Sequence, residues 1–514
     1  MDGSGASFLA MEKEKDFDDF ENGVLQHIRS DDDEEVDTDS SSFTSSIPAV
    51  WTLAWPVAIT FVLEILPGVV NVAFIGVYLG TDSLAAASLG QMFWNTFGLS
   101  IGFGFASALD TLSNQSAGAG NYRSLSLDLQ AGAGVTLALT VPISLLVYFS
   151  GSILELLGQP EKAAVDGGKF ALYILPALPI MFIYELLRKT LQATKIMKPM
   201  MYCAIIGNSV NIILTYFFLS RRVFSNGLLG AAIARNVASA IQLSALIFAV
   251  RFWNMGKLWW RGFEFSASFR RKRLARFLRI AVPACLGSCL EWWAFEILAI
   301  LAGLLKNPEV QIGANAIVLQ ITTFTYCSYY GFNVSASVLV GNYLGEGKAG
   351  EARKAYLASL ALAFAMSVFF AVSVVLLRSP IVSIFPAEDA DMAETAKSAM
   401  YLVAAYQIFD ACNCVNGGCY LGQGRPNIYA GFSFAQSYIV GLPLGFVLAS
   451  VVGWQLEGLW AGMSISVFAV SIVNSAVLLS TDWKARAKRV AEMQRRLSSS
   501  ASASLLDDVV SSVN

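Results

Sequence analysis

Histidine is nearly absent from this chain: one residue in 514, His27. Histidine-based catalysis and histidine metal centres are therefore poorly supported. Charge is scarce too, at 14% of residues, far too little polar surface for a soluble protein of this length. No G-x-x-x-x-G-K-[ST] loop occurs, so nothing marks a site for ATP. No nucleophile and base stand at a spacing that marks an enzyme. The seven cysteines, Cys203, Cys285, Cys289, Cys327, Cys412, Cys414 and Cys419, are odd in number and all fall in apolar runs. They argue against a disulfide framework. No cleavable signal peptide is expected, because the first 47 residues are acidic and lack an apolar core.

What the chain has in abundance is apolar residues, 55% of the total, with a mean hydropathy of +0.56. Runs of about 20 such residues cross a bilayer as helices, since backbone groups in hydrocarbon must be satisfied within each segment. Twelve runs are expected to span: 48–75, 84–109, 128–150, 168–188, 199–220, 228–252, 276–303, 312–336, 355–377, 397–420, 427–452 and 456–479. The fold class is all-α, a polytopic membrane protein that acts as a monomer in contact with lipid and with no nucleic-acid partner.

The net charge of −3 hides an asymmetry. Residues 1–47 hold 14 Asp/Glu against 3 Lys/Arg and form an acidic arm, expected to be disordered and either simply solvated or regulatory. Residues 481–514 form a Ser-rich tail ending near SLLDD, which weakly resembles a sorting signal. Most basic residues fall in the even-numbered loops and this tail, which places both termini in the cytoplasm. The densest cluster, Arg270, Arg271, Lys272, Arg273, Arg276 and Arg279, either sets topology or binds anionic lipid.

A linker at 253–275 divides the chain into halves, 48–252 and 276–480, and the halves echo each other. QSAGAGNYRSL from Gln115 and NYLGEGKAGEARKA from Asn342 each place an amide, two residues, Gly-x-Gly and a basic turn after the second span of their half. GLLGAA at Gly227 and GLWAGM at Gly458 open the sixth span of each. Duplicated halves suit alternating access, and also a channel or an inert scaffold.

CLEWWAFEIL, from Cys289, places two acids in a run built for lipid. A charge at mid-bilayer costs roughly 2.5–3.5 kcal/mol even on the lenient scale. Four acids lie deep: Glu64, Glu291, Glu296 and Asp410. Glu185 is also within a span, and a local ion pair with Arg188 and Lys189 near the cytoplasmic edge explains it. At 100° per residue, Glu291 and Glu296 stand about 140° apart and face different neighbours. Trp292 and Trp293 either pack against lipid or wall a cation site. Gln407, Asp410 and Asn413 share a helical stripe, the amides serving either inter-helix bonds or function. Arg235, near an end of its span, is expected to snorkel outward. Buried acids suit exchange, because a proton and a cation compete for one carboxylate.

ALDTLSNQSAGAG from Ala108, TLQATKIMKP from Thr190, CLEWWAFEIL, SASVLVGNYLGEG from Ser335 and FDACNCVNGGCYLGQG from Phe409 together resemble the multidrug and toxic compound extrusion (MATE) transporters, particularly their eukaryotic branch, over residues 48–480. The resemblance implies twelve helices in two six-helix lobes related by pseudo-two-fold symmetry, around a cavity. It also implies export of organic cations against protons or sodium. Glu291 matches the carboxylate needed for transport, Glu296 the second acid of that motif, and Asp410 an acid of helix ten. Gln320 stands where some animal members have a titrating glutamate, Leu421 where an arginine is common, and Asn71 where prokaryotic members place a coupling aspartate. Coupling in the N-half would then rest on Glu64.

The expected function is a proton-coupled antiporter for organic cations, xenobiotics or secondary metabolites, with no cofactor and with Gln407, Asn413, Trp292, Gln320, Asn71 and Glu64 supporting the cavity. Sodium coupling, a flippase for lipid-linked precursors and a transport-dead scaffold are the alternatives. The plasma or vacuolar membrane is the expected location.

Overall fold

The structure, a computed structural model, describes residues 43–260, 262–384 and 390–513, with side chains to residue 498. The acidic arm and His27 lie outside them. Twelve helical rods follow in order: α1 (Ile47–Leu79), α2 (81–118), α3 (Tyr122–Tyr148), α4 (161–193), α5 (Lys198–Ser220) and α6 (Gly227–Phe252) form the N-half. The C-half comprises α7 (Arg271–Ala302), α8 (Pro308–Gly345), α9 (Ala349–Ile384), α10 (Ala390–Gly422), α11 (Pro426–Val451) and α12 (Gln455–Leu479). Most rods outrun the apolar stretches that announce them, because their polar ends pack against one another at the bundle ends.

Eight of the described helices are long and apolar enough to span, and α4, bent by 50° where Pro176 interrupts it, makes a ninth. The remaining three, α2, α8 and α10, are too broken or too polar for that test. Each of the three buries polar side chains, among them Asp110, Asn114, Gln407 and Asn342, which meet protein and not lipid. α2 is further interrupted by a π-helical stretch, Trp94–Leu99, and by a turn at residues 107 and 108.

The sequence echo becomes a reciprocal clasp. Gln115 Nε2 donates to the carbonyl of Gly422 across the halves (2.9 Å), and Asn342 Nδ2 donates back to that of Ala193 (3.1 Å). The Gly-x-Gly pairs complete it in two ways. Gly120 and Gly347 turn the chain with φ of 68° and 82°, a region that favours glycine. Gly118 and Gly345 let the rods touch: a Cβ on Gly118 would lie 2.0 Å from the Asn342 carbonyl oxygen, and one on Gly345 would lie 2.3 Å from that of Gln115. Gly345→Ala is expected to lose about 1–3 kcal/mol of stability by overpacking this contact, read as a lower unfolding temperature of the purified protein.

One buried core joins both halves at this end, including Leu112, Leu191, Val338, Tyr356 and Trp483. At the other end there are two separate cores, one built from N-half residues such as Trp94 and Phe170, the other from C-half residues such as Leu298 and Trp460. The halves therefore meet at the end that carries the basic loops and part at the other. Two further features reinforce the closed end. Asp128 of α3, fully buried, pairs with Arg273 (2.5 Å) and Arg276 (2.6 Å) of α7, so part of the basic cluster serves as an internal tie. The segment read as a Ser-rich tail is a helix, α13 (Trp483–Val513), whose Trp483 stacks on Tyr356 and whose Gln494 contacts Ser116 of α2.

Candidate functional site

Between the halves lies a cavity lined by both of them. Its C-half wall includes Glu291, Trp292, Tyr326, Asn333 and Tyr429; its N-half wall includes Phe103, Asp110, Glu185, Arg188 and Lys189. The two walls treat their acids differently.

On the C-half side no base approaches the acids. Glu291 accepts from the hydroxyls of Tyr429 (3.0 Å) and Ser433 (2.9 Å), both on α11. α7 and α11 come close enough for this because Gly287, one turn before Glu291, leaves room for the Tyr429 ring, which would lie 2.4 Å from a Cβ there. Asp410 accepts from Tyr329 of α8 and from Tyr406 one turn earlier on α10 (3.1 Å). Asp410 stands behind the cavity wall, which Cys414, one turn on, reaches instead. The two carboxylates are nonetheless within electrostatic reach of each other.

On the N-half side every acid has a cation. Arg188 binds Glu185 (2.5 Å) and Glu64 (3.0 Å), and Lys189 binds Asp110 (2.7 Å). Glu64, read as a free deep acid, is thus a paired one. Glu185 does pair with Arg188 as its spacing suggests, but the pair is buried and faces the cavity instead of lying at the membrane edge. Asp110 escaped notice because it falls one residue past the expected end of the second span, where an acid is unremarkable.

The remaining candidates scatter. Glu296 turns away from Glu291 and reaches Thr96 of α2. Trp293 donates to the Thr96 carbonyl (3.1 Å), while Trp292 lines the cavity. Asn413 joins α10 to its neighbours, donating to Gln436 of α11 and accepting from Asn474 of α12 (2.5 Å each). Gln407 is fully buried with neither side-chain atom bonded. Asn71 accepts from Thr215 (3.0 Å) inside the N-half and does not reach the cavity. Gln320 is exposed on α8, outside the cavity wall, so neither amide supports the cavity as expected. Leu421 is in the wall, and its carbonyl accepts from Thr111. Arg235 does not snorkel: it is 4% exposed and turned inward, because α6 offers it the ring of Trp94 within the N-half. The cysteines are free thiols, and no group of three or more His, Cys, Asp or Glu side chains that could hold a metal occurs among the described residues.

Comparison with known proteins agrees with this architecture. The family model MatE matches residues 56–217 and 283–447, one block in each half. Multidrug and toxin extrusion protein 2 of Oryctolagus cuniculus is 31% identical over 87% of this chain and 73% of its own length. Multidrug and toxin extrusion protein 1 of Homo sapiens is 31% identical over 86% of this chain and 76% of its own. The crystal structure of the eukaryotic MATE transporter AtDTX14 superposes with a TM-score of 0.83 at 27% identity, covering 88% of this chain and 99% of that one. The chain belongs to the MatE family, on the eukaryotic side of the MATE transporters, and is a multi-pass membrane transporter and not an enzyme.

Proposed function

We propose that the protein exports small organic cations in exchange for protons by alternating access, with Glu291 as the group that trades one for the other. The observation that carries this reading is the contrast between the two walls: Glu291 faces the cavity with hydroxyl partners alone, whereas Asp110 and Glu185 opposite are neutralised by Lys189 and Arg188. A carboxylate held only by hydroxyls gains from either a proton or a cation, since each removes the cost of a buried charge. Asp410, held by the hydroxyls of Tyr329 and Tyr406 behind the wall, takes part through its charge, which bears on Glu291 across the site. Trp292 offers an aromatic face to the substrate.

The cavity opens at the end away from the basic loops, and the positive-inside bias puts that end outside the cytoplasm. In this state a substrate leaves and a proton enters. The relatives named for multidrug and toxin extrusion support the same direction.

Purified protein in liposomes, loaded with a fluorescent organic cation and given a pH gradient or a sodium gradient separately, tests the reading. Transport is expected with the pH gradient alone. Transport with sodium alone would transfer coupling to carboxylate and amide oxygens as sodium ligands. Movement of a lipid pyrophosphate but of no cation would make the protein a flippase, and no transport of any kind would leave the scaffold reading.

A further inference from the structure

The linker between the halves, residues 253–275, has two faces, and the inner one is tied to α3. Gln130 Nε2 donates to the Gly262 carbonyl (2.9 Å), while Gln130 Oε1 accepts from the Glu264 amide (2.9 Å) and the Ser268 hydroxyl (3.1 Å). Glu264 pairs with Arg123 (2.8 Å), and Asp128 holds Arg273 and Arg276 just beyond. One edge of Phe269 closes against Gly134, where a Cβ would lie 2.1 Å from the ring.

The outer face is apolar. Trp253, Leu258, Trp260, Phe263, Phe265 and Phe269 are all exposed, Phe263 at 70% and Phe265 at 64%. Glu264 turns in to Arg123, so its two neighbours turn out, and their rings stack 5.5 Å apart. The rings of Trp260, Phe263, Phe265 and Phe269 follow one another at 5.0, 5.5 and 6.3 Å as one ribbon. A contiguous apolar patch of this kind marks a surface that meets something other than water.

Cations flank the ribbon. Arg251, Lys257, Arg270, Arg271, Lys272 and Arg279 are exposed, and among the described residues none of them forms an ion pair. Glu264 is the one acid between residues 251 and 279, and Arg123 has it. The basic cluster therefore divides in two: Arg273 and Arg276 turn in to Asp128, and Arg270, Arg271, Lys272 and Arg279 are left without a counter-charge.

We propose that this outer face lies in the head-group layer of the leaflet at the closed end and binds anionic phospholipid there. The rings reach the upper acyl chains and the cations meet the phosphates. Aromatic side chains settle at this depth because their rings are apolar while the layer is still polar, and basic side chains beside it are drawn to anionic head groups. The leaflet, and not a protein partner, is the occupant because the ribbon begins where a span ends. Phe252, exposed at the end of α6, packs edge-on against Trp253 at 5.6 Å, so the face continues the lipid-facing flank of that helix without a break.

Titration of a fluorescently labelled phosphatidylserine with the detergent-solubilised full-length chain, read by anisotropy, tests this. Phosphatidylcholine with the same label and acyl chains is expected to bind at least about 10-fold more weakly, and raised salt should bring the two together. Arg270→Gln, Arg271→Gln, Lys272→Gln and Arg279→Gln combined should abolish the preference for phosphatidylserine. Lys484→Gln, Lys488→Gln, Arg489→Gln and Arg495→Gln combined, which removes as many exposed charges from α13, should leave it within about 2-fold of native. Phe263→Ser with Phe265→Ser should weaken phosphatidylserine several-fold. Equal affinity of the native chain for the two lipids, a preference kept by the folded linker variant, or one lost equally in the α13 variant overturns the proposal. Should the four-residue linker variant fail to fold, the salt dependence and the serine variant decide it, and no weakening in either overturns it. A native chain that runs as a dimer and is split by the two serines would assign the face to a second copy and also overturn it.

Discussion

Glu291→Gln is expected to reduce pH-driven export of an organic cation from proteoliposomes by on the order of 100-fold or more, while the protein still folds and inserts. The scale is that of a positioned side chain that takes and gives a proton. The shape of the site allows the substitution: glutamine keeps one oxygen to accept from Tyr429, and its amide group can donate to the Ser433 oxygen, which now donates to Glu291 at 2.9 Å. What is lost is the charge and with it the competition between proton and cation. Asp410→Asn serves as the comparison, because Asp410 lies behind the wall and affects transport through its field, so a smaller loss is expected there. The reading fails if Glu291→Gln, reconstituted at equal density, exports at the native rate. In that event the hydroxyl pair around Glu291 is a structural arrangement, and coupling has to be sought among the N-half acids.

Arg188→Met is expected to destabilise the protein by about 3–5 kcal/mol, the scale for removing one partner from a buried ion pair. Arg188 is 2% exposed and holds two carboxylates, Glu64 at 3.0 Å and Glu185 at 2.5 Å. With methionine in its place, Lys189 is left 4.0 Å from Glu185 and already committed to Asp110. Thermal unfolding in detergent should show the loss as a markedly lower transition temperature. The triple change Glu64→Gln, Glu185→Gln and Arg188→Met should recover most of it, because removing all the charges of a buried group is far less costly than stranding some of them. An Arg188→Met protein as stable as the native one would mean that the cluster is hydrated or protonated, and the contrast between the two cavity walls would lose its basis. The two substitutions are complementary: the first should cost transport and spare stability, and the second should cost stability outright.

Glu291 and Asp410 stood out in the sequence because an acid inside an apolar run is expensive, and nothing nearby in the chain offered to neutralise it. Asp110 and Asp128 are more deeply buried than either, yet do not stand out. They fall at the limits of their apolar runs, where an acid reads as an ordinary loop residue. Arg273 and Arg276 were absorbed into a basic cluster with a topological meaning, and only the packing of α7 against α3 shows them closing on Asp128. Arg235 failed the other way. Its distance from the end of its run suggested an escape to the surface, and the direction in which α6 turns it shows that none is taken.

The sequence by itself determined that the chain is an all-helical membrane protein of twelve rods in two matching halves. Long apolar runs leave the backbone no other way to satisfy itself in lipid, and the paired Gly-x-Gly turns mark the duplication. Periodicity also determined that Glu291 and Glu296 face apart. Which acids stand free was decided only by the tertiary structure, since a charge is neutralised by whatever lies across from it and not by what precedes it in the chain. Tyr429 and Ser433 lie more than a hundred positions from Glu291, and Arg188 is as far from Glu64. Ion pairing acts over a few ångströms of space, and no spacing along the sequence encodes that distance.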